Sequence, residues 1–337
     1  MNAAKKILFR VDAGGKVGLG HYYRSLNLAS ALSERGHIVV FLHQPSVFWS
    51  TQKDFPYKHY SLSLDNSEQD MLSICASENA DIFYVDGILS FTPQFILEIK
   101  KRAKVVFYQN LSDSRYLADV FILPSIHQTE DFFLPFQDSG TTVYSGLAYF
   151  TFNKEIEKYT PNTFTEESKI QKIAVIAGGS DPRNLLHTLY EMLDEEVLLE
   201  NFKFTFYYGN DYMHKDTIPA DLKKNTSFTL YDVDGILSHD VLIAAFGVSA
   251  YEFMCLGMPV IGIGHQKSNA DALRIVAEKT GAIYDMGEID DMNKERFNTT
   301  LVTLFQKKRE LVKMIQRATE ILDKHGVSRV ANILECL

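Results

Sequence analysis

Short apolar runs alternate with helical patterns along the chain, and this alternation limits the possible folds more than any other feature. The first half contains the runs KILFRV, HIVVFL, ADIFYVDG, KVVFYQN and DVFILPS, with a helical pattern over residues 19–35 after the first of them. Buried apolar strands separated by helices are typical of a mostly parallel sheet with helices on both faces. We therefore predict a doubly wound α/β fold.

The pattern stops at residues 153–169 and then begins again. This segment, NKEIEKYTPNTFTEESK, is polar, charged and poor in apolar residues, as expected for a linker. Further apolar runs follow it, namely KIAVIAGGSDPRN, FKFTFYYGN, TSFTLYD, DVLIAAFG, MPVIGIG and GAIYDMG. A chain of 337 residues is long enough for two domains that each bury their own core.

We predict an N-terminal Rossmann-like domain over residues 1–155 and a C-terminal one over residues 156–315. The last part, residues 316–337, belongs to a long helical pattern that could pack back on the first domain. Open α/β sheets bind ligands at the carboxyl ends of their strands. We expect the two domains to face each other across a cleft, where both can reach one ligand.

Composition and charge narrow the possible partners. The formal net charge of −9 argues against nucleic acid, which needs a broad basic surface, but leaves room for a small anionic ligand held by backbone N–H groups. No apolar run approaches the ~20 residues that span a bilayer, and the N-terminal run predicts a first strand rather than a signal peptide. Cys75, Cys255 and Cys336 follow no metal or redox spacing, which favours reduced thiols in a cytoplasmic protein. The oligomeric state is left open.

The first polar motif is a glycine-rich turn, DAGGKVGLGHYYR, at residues 12–24. A dinucleotide-binding loop requires G-x-G-x-x-G directly after the strand and an acidic residue about twenty residues later. The glycines at positions 14, 15, 18 and 20 do not give this register, and the next strand, HIVVFLHQ, ends without an acid. NAD binding is therefore the weaker interpretation of this turn.

The same glycines indicate a different role, which is to bring His21 to the N-terminus of a helix. The positive end of the helix dipole lowers the proton affinity of a histidine, so that the imidazole is neutral and can accept a proton. Gly20 and Arg24 can reach the same place, and Asp12 at the strand end is a second catalytic candidate. The alternatives are that His21 is a capping or surface residue and that Asp12 caps the helix.

Two motifs in the second half indicate a nucleotide site. In AVIAGGSDPRN, Gly179 and Ser180 precede a helix expected to begin near Pro182, and free N–H groups at a helix N-terminus bind phosphate. In AAFGVSAYEF, Gly247 and Ser249 begin a helix that carries Glu252 on its first turn, where the carboxylate could hydrogen-bond a ribose diol. The alternatives are an ordinary turn for GGS and a favourable helix-dipole position for Glu252.

These motifs together resemble the nucleotide-sugar hydrolases of pseudaminic acid biosynthesis and the related spore-coat polysaccharide proteins. Such proteins have the GT-B fold, two Rossmann-like domains as in the MurG type of glycosyltransferase. The resemblance rests on FRVDAGGKVGLGHYYRSLNLASAL, GGSDPRN and GVSAYEFMCLGMPVIGI, followed by Asn269, with weaker likeness at YSGLAYFTFNKE and SDSRYLADVFILP. It covers most of the chain, and its first motif is the most specific to the hydrolases.

The resemblance implies a UDP-linked 2,4-diacetamido-type deoxy sugar as substrate, without a metal ion or a cofactor. UDP would lie near Gly179, Ser180, Ser249 and Glu252, with Asn269 close to the sugar. His21 would position or deprotonate a water molecule that attacks the anomeric carbon, with UDP as the leaving group.

The chain also departs from the family pattern. Asp-His-Tyr is usual after the fourth strand, where this chain has Asp86, Gly87 and Ile88, and paired aspartates are usual after the next, where it has Gln109 and Asn110. The family usually has Asn-Gln near the sugar, where this chain has Asn269 and Ala270. Phe246, directly before Gly247, stands where the family has a small residue. Three functions therefore remain open: a UDP-sugar hydrolase, a GT-B glycosyltransferase that uses a UDP-sugar donor, and a non-catalytic protein that binds nucleotide sugars.

Overall fold

The chain forms two compact units in a computed structural model that describes residues 3–14, 19–87 and 89–337. The first unit consists of Met1–Lys158 together with Lys324–Leu337, and the second is Tyr159–Asp323. Each unit contains one parallel sheet with helices, which confirms the predicted α/β class with two Rossmann-like sheets. No helix among the described residues is long and apolar enough to cross a membrane.

The sheet of the first unit has seven parallel strands in the order β3-β2-β1-β4-β5-β6-β7. The strand order reverses direction between β1 and β4, which is the position where ligands bind in open α/β sheets. The strands are β1 (Lys6–Val11), β2 (Ile38–His43), β3 (Lys58–Ser61), β4 (Ile82–Asp86), β5 (Lys104–Tyr108), β6 (Val120–Leu123) and β7 (Thr142–Ser145), and the helices between them are α1 (Gly20–Glu34), α2 (Val47–Thr51), α3 (Ser67–Glu78), α4 (Pro93–Lys100) and α5 (Glu130–Phe133).

Strand β1 shows why the apolar runs form a sheet that is covered on both faces. Ile7, Phe9 and Val11 belong to the core on one face, and Leu8 between them belongs to the core on the other. Side chains alternate between the faces of a strand, so a continuous apolar run is stable only where both faces are buried. Each such side chain contributes roughly 1.5–3 kcal/mol when it is fully buried.

The second unit repeats this arrangement with six parallel strands in the order β10-β9-β8-β11-β12-β13. Its reversal of strand order lies between β8 and β11. The strands are β8 (Lys172–Ile176), β9 (Lys203–Tyr208), β10 (Thr226–Leu230), β11 (Val241–Ala245), β12 (Val260–Gly264) and β13 (Tyr284–Glu288), and the α-helices are α6 (Leu185–Met192), α7 (Val233–Leu237), α8 (Val248–Cys255), α9 (Lys267–Thr280), α10 (Lys294–Gln306) and α11 (Lys308–Ile321).

The C-terminal segment consists of two helices that belong to different units. The domain boundary predicted at residue 316 lies inside α11, which continues to Ile321 in the second unit. Helix α12 (Gly326–Glu335) is part of the first unit. Helix α12 contacts α1, and Val330 and Leu334 are fully buried in the core of the first sheet. Lys5 Nζ donates to the carbonyl oxygen of Glu335 at 2.8 Å, which satisfies a group at the end of this helix.

Candidate functional site

A histidine and a buried carboxylate meet where the strand order of the first sheet reverses. Helix α1 begins at Gly20 after β1, and the neighbouring strand β4 ends at Asp86. His21 Nδ1 lies 2.8 Å from Asp86 Oδ1, with the Asp86 side chain fully buried and that of His21 21% exposed. The turn residues 15–18 and Ile88, which the sequence analysis singled out, lie outside the described residues.

Arg24 and Ser25 fix the Asp86 carboxylate from the next turn of α1. Arg24 Nε donates to Asp86 Oδ2 at 2.7 Å, Arg24 Nη2 donates to Oδ1, and Ser25 Oγ donates to Oδ2 at 2.9 Å. Burial alone would raise the pKa of Asp86, but the Arg24 charge and the hydrogen bonds from Arg24 and His21 hold it below its ordinary value. The carboxylate therefore stays ionised, and it in turn raises the pKa of Arg24 against the effect of burial.

The ionised carboxylate determines which nitrogen of His21 carries the proton. A carboxylate only accepts hydrogen bonds, so the 2.8 Å contact requires a proton on Nδ1 of His21. Arg24 Nη2 lies 2.7 Å from the same nitrogen because both groups donate to one oxygen of Asp86. The lone pair of a neutral His21 is then on Nε2, and no residue that the structure describes hydrogen-bonds to that atom. A histidine oriented in this way by a carboxylate can act as a general base.

The other predicted residues of the first unit have different surroundings. Asp12 accepts two hydrogen bonds from Arg10, at 2.6 and 2.9 Å, and one from the Gln44 N–H at 2.8 Å. These contacts link the ends of β1 and β2, and they do not bring Asp12 together with His21. Gly20 is the first residue of α1, and a Cβ added there would meet open space. Arg24 is buried with its guanidinium against Asp86, so its contacts orient the carboxylate.

Two members of this cluster, Asp86 and Gln109, were not among the site residues predicted from the sequence. Gln109 follows β5 with a φ of +52°, and its Oε1 accepts a 2.6 Å hydrogen bond from Arg24 Nη1. The neighbouring Asn110 is structural, since its Nδ2 donates to the Leu89 carbonyl at 2.7 Å. The available signal was that the apolar runs IFYV and VVFY are each followed by polar residues, Asp86 and Gln109. The carboxyl ends of neighbouring parallel strands lie at one edge of a sheet, so these residues are expected near each other.

The GGS motif of the second unit forms an exposed turn, but not in the way the sequence predicts. Helix α6 begins at Leu185, so the expected start near Pro182 is wrong. The buried carboxylate of Asp181 accepts hydrogen bonds from the N–H groups of Leu185 and Leu186, at 2.8 and 2.9 Å. Because an acid inside the motif already binds the first N–H groups of this helix, phosphate contacts here would come from the exposed turn before it.

That turn contains Gly179 and Ser180, which are both exposed. It lies directly against the end of β9, where a Cβ added to Gly209 would overlap the carbonyl oxygen of Gly179. Glycine at position 209 thus permits the close approach of the two backbones. The backbone of the exposed turn is consequently held in place at the carboxyl end of β8.

Helix α8 carries Gly247 as its N-cap and Ser249 as its second residue. Glu252 is the fifth residue, beyond the predicted first turn, so the helix dipole explains its position poorly. Glu252 is only 8% exposed, and none of the described residues hydrogen-bonds to its carboxyl group. Burial raises the pKa of Glu252 to about 7. The pKa of Tyr231 is raised by burial and further by the Glu252 charge, with a hydrogen bond to Ser249 opposing this shift.

Asn269 and His265 lie near the end of the adjacent strand β12. Asn269 is the third residue of α9, and its Nδ2 donates to the Phe246 carbonyl at a distance of 3.4 Å. Its Oδ1 is buried without a partner among the described residues, and so is Nδ1 of His265. His265, whose pKa is lowered by burial, was not identified from the sequence.

The carboxyl ends of β8, β11 and β12 therefore place the second group of predicted residues along one edge of the sheet, since these strands are parallel neighbours. This group includes the buried carboxyl group of Glu252 and the buried Oδ1 atom of the half-buried Asn269, which no described residue hydrogen-bonds. Buried polar groups in proteins are normally hydrogen-bonded, so such atoms are suited to contact a ligand. No three His, Cys, Asp or Glu side chains in the described ranges are arranged to share a metal ion.

Comparisons with known proteins agree with this architecture. No family model matches the chain. The spore coat polysaccharide biosynthesis protein SpsG of Bacillus subtilis (strain 168) is 21% identical over 336 residues, which cover 97% of this chain and 96% of that protein. Acinetobacter baumannii MurG superposes with a TM-score of 0.68 and 14% identity, covering 98% of this chain and all of the other. A putative UDP-N-acetylglucosamine 2-epimerase from Listeria monocytogenes superposes with a TM-score of 0.64 and 12% identity. The superposition covers 99% of this chain and 96% of the other. The predicted GT-B fold is confirmed.

Proposed function

We propose that this protein hydrolyses a UDP-linked acetamido or diacetamido deoxy sugar, releasing UDP and the free sugar, in the biosynthesis of a surface glycan of the nonulosonic-acid type. The observation that carries the proposal is the His21 imidazole, whose Nδ1 is bound to the ionised Asp86 and whose Nε2 has no partner among the described residues. The name of SpsG supports a role in polysaccharide biosynthesis, and the name of the Listeria protein supports a UDP-sugar as substrate.

In the proposed reaction, His21 Nε2 accepts a proton from a water molecule as the water oxygen bonds to the anomeric carbon. The bond between this carbon and the β-phosphate oxygen breaks, and its electron pair leaves with UDP. Asp86 stabilises the imidazolium that forms, and the proton then passes to solvent. General-base assistance of this kind contributes about 10²–10⁴-fold to a rate.

The second unit would bind the nucleotide. The N–H groups of the exposed residues Gly179 and Ser180 and those at the start of α8 are suited to pyrophosphate oxygens. The carboxylate of Glu252 would accept hydrogen bonds from the ribose hydroxyls. The amide of Asn269 has a buried oxygen free to accept a hydrogen bond from the sugar.

Glycosyl transfer is the second candidate, and Gly87 favours it. This residue follows Asp86 with a φ of +135°, and the nearest atom to an added Cβ, apart from its two chain neighbours, would be 4.0 Å away on Leu89. Gly87 has no side chain next to Asp86, and an acceptor hydroxyl would take the place of the attacking water. His21 would then deprotonate the acceptor by the same chemistry.

The deciding experiment incubates the protein with UDP-N-acetylglucosamine or a UDP-linked 2,4-diacetamido deoxy sugar and follows UDP and free sugar without any acceptor. We expect equal amounts of both products, and a rate at least about 10² times lower in His21→Ala and Asp86→Asn. Asp113→Asn is the matched control, since the Asp113 side chain is fully exposed.

If UDP is released only when an acceptor is added, the protein is a glycosyltransferase and the proposal of hydrolysis is wrong. Tight UDP binding without turnover under either condition would contradict both enzymes and leave a nucleotide-sugar-binding protein. Normal activity in His21→Ala would exclude the proposed base.

A further inference from the structure

Gln109 is joined to the His21–Asp86 pair through Arg24. Its side-chain oxygen binds Arg24 Nη1 at 2.6 Å, while Nε and Nη2 of the same guanidinium bind Asp86. The φ of +52° at Gln109 is one that residues with a side chain seldom adopt, and it occurs directly after the last residue of β5. Arg24 is thus held on two sides, by a carboxylate and by a neutral amide.

The neutrality of that amide sets the charge beside His21. The charges of Arg24 and Asp86 cancel, and Gln109 and Ser25 add none. The His21 imidazole therefore lies beside a group of side chains with no net charge. An additional negative charge in this buried cluster would favour the imidazolium form and remove the free base.

The other titratable groups near the cluster do not change its net charge. Tyr84 and Tyr108 lie close enough to Arg24 to contribute to its raised pKa. Burial raises the pKa of both phenols, that of Tyr108 to about 12. Both are neutral in the physiological range. At the end of β1, Arg10 and Asp12 form an ion pair whose charges also cancel.

We propose that Gln109 is a positioning residue that holds Arg24 on Asp86 without adding a negative charge beside the His21 imidazole. The inference rests on the proposed function for the role of His21 as a base. Glutamate has the same length and could bind the same guanidinium nitrogen, but it would give the cluster a net charge of −1. Residue 109 therefore controls the pH range in which the base is available.

The test compares Gln109→Glu with the wild-type protein. The His21 imidazole is followed by NMR during a pH titration, with His21→Ala used to identify its signals, and the pH dependence of kcat/KM is measured in parallel. We expect the titration midpoint of His21 to rise by about one pH unit, and the acidic limb of kcat/KM to rise with it. Gln137→Glu makes the same chemical change at an exposed position of the same unit and should leave both unchanged.

A second variant separates charge from hydrogen bonding. Gln109→Met cannot accept the bond from Arg24, so we expect kcat to fall at least about tenfold at every pH. Gln109→Glu should regain the wild-type rate once the pH is above its raised midpoint, which a purely structural role would not produce. An unchanged His21 midpoint in Gln109→Glu would overturn the inference. A raised midpoint in a protein that turns over no UDP-sugar would support it while contradicting the proposed function.

Discussion

The buried carboxyl group of Glu252 makes a prediction that does not depend on knowing the substrate. Its pKa is raised by burial from 4.5 to about 7, and no described residue stabilises its charge. The folded protein therefore binds this proton more tightly than the unfolded chain does. Stability from this group is present below pH 4.5 and is lost as the pH rises through 7. Glu252→Gln keeps the shape of the side chain and cannot ionise.

The size of the effect follows from the two pKa values. One pKa unit corresponds to about 1.4 kcal/mol, so ionisation of Glu252 destabilises the folded state by about 3 kcal/mol at pH 8 and by less than about 1 kcal/mol at pH 5. We expect Glu252→Gln to increase the free energy of unfolding by these amounts. The same substitution should weaken UDP binding at pH 8, because hydrogen bonds to a charged group contribute about 1.5–3 kcal/mol each.

Unfolding should be followed by far-UV circular dichroism or calorimetry at both pH values. The single tryptophan, Trp49, lies in the first unit, so its fluorescence would not report on the second. UDP binding should be measured by titration calorimetry on the same samples. A Glu252→Gln variant that is equally or less stable than the wild type at pH 8 would refute the account of an uncompensated carboxylate. Unchanged UDP affinity would refute its contact with the ribose.

Two further substitutions test other parts of the structure. In Glu78→Gln we expect a loss of about 1–2 kcal/mol at pH 7, since hydrogen bonds from the half-exposed Lys58 and others lower the Glu78 pKa from 4.5 to about 2. The stability due to this group is present above pH 4.5, so the loss should vanish as the pH falls to 2, and Trp49 fluorescence in urea would measure it. Gly209→Ala should cost about 1–3 kcal/mol and weaken UDP binding at least tenfold, because its Cβ overlaps the turn at Gly179. Gly179→Ala meets open space and is the control for stability, and a fully stable Gly209→Ala would contradict the close approach.

The local patterns of the sequence were sufficient to predict the class of fold and the positions of most strands. A run such as KILFRV is apolar on both faces and can be stable only inside a covered parallel sheet. The break between α11 and α12 was not predicted, because the amphipathic pattern continues through it. Which unit receives α12 depends on a contact between residues about 300 positions apart, such as Lys5 with Glu335.

The candidate site was predicted only in part, for a similar reason. His21 could be identified from the glycines that precede it, whereas Asp86 became significant only through the pairing of β1 with β4. Strand order is a long-range property that the spacing of residues along the chain does not contain. The role of Asp181 was missed because a carboxylate within DPRN can cap the helix that follows it, and a phosphate-binding turn has the same composition.

Two buried carboxylates in this chain have opposite electrostatic environments, and the difference indicates two roles. Asp86 accepts hydrogen bonds from His21, Arg24 and Ser25 and is held ionised, so its orientation of His21 requires nothing from a ligand. Glu252 is also buried but has no such donors among the described residues, and its pKa is therefore near neutrality. Its charge becomes favourable only when a bound molecule supplies the donors. Separate environments that drive two carboxyl groups apart in pKa commonly distinguish groups with separate tasks. By this reasoning, Asp86 orients the base and Glu252 recognises hydroxyl groups of the ligand.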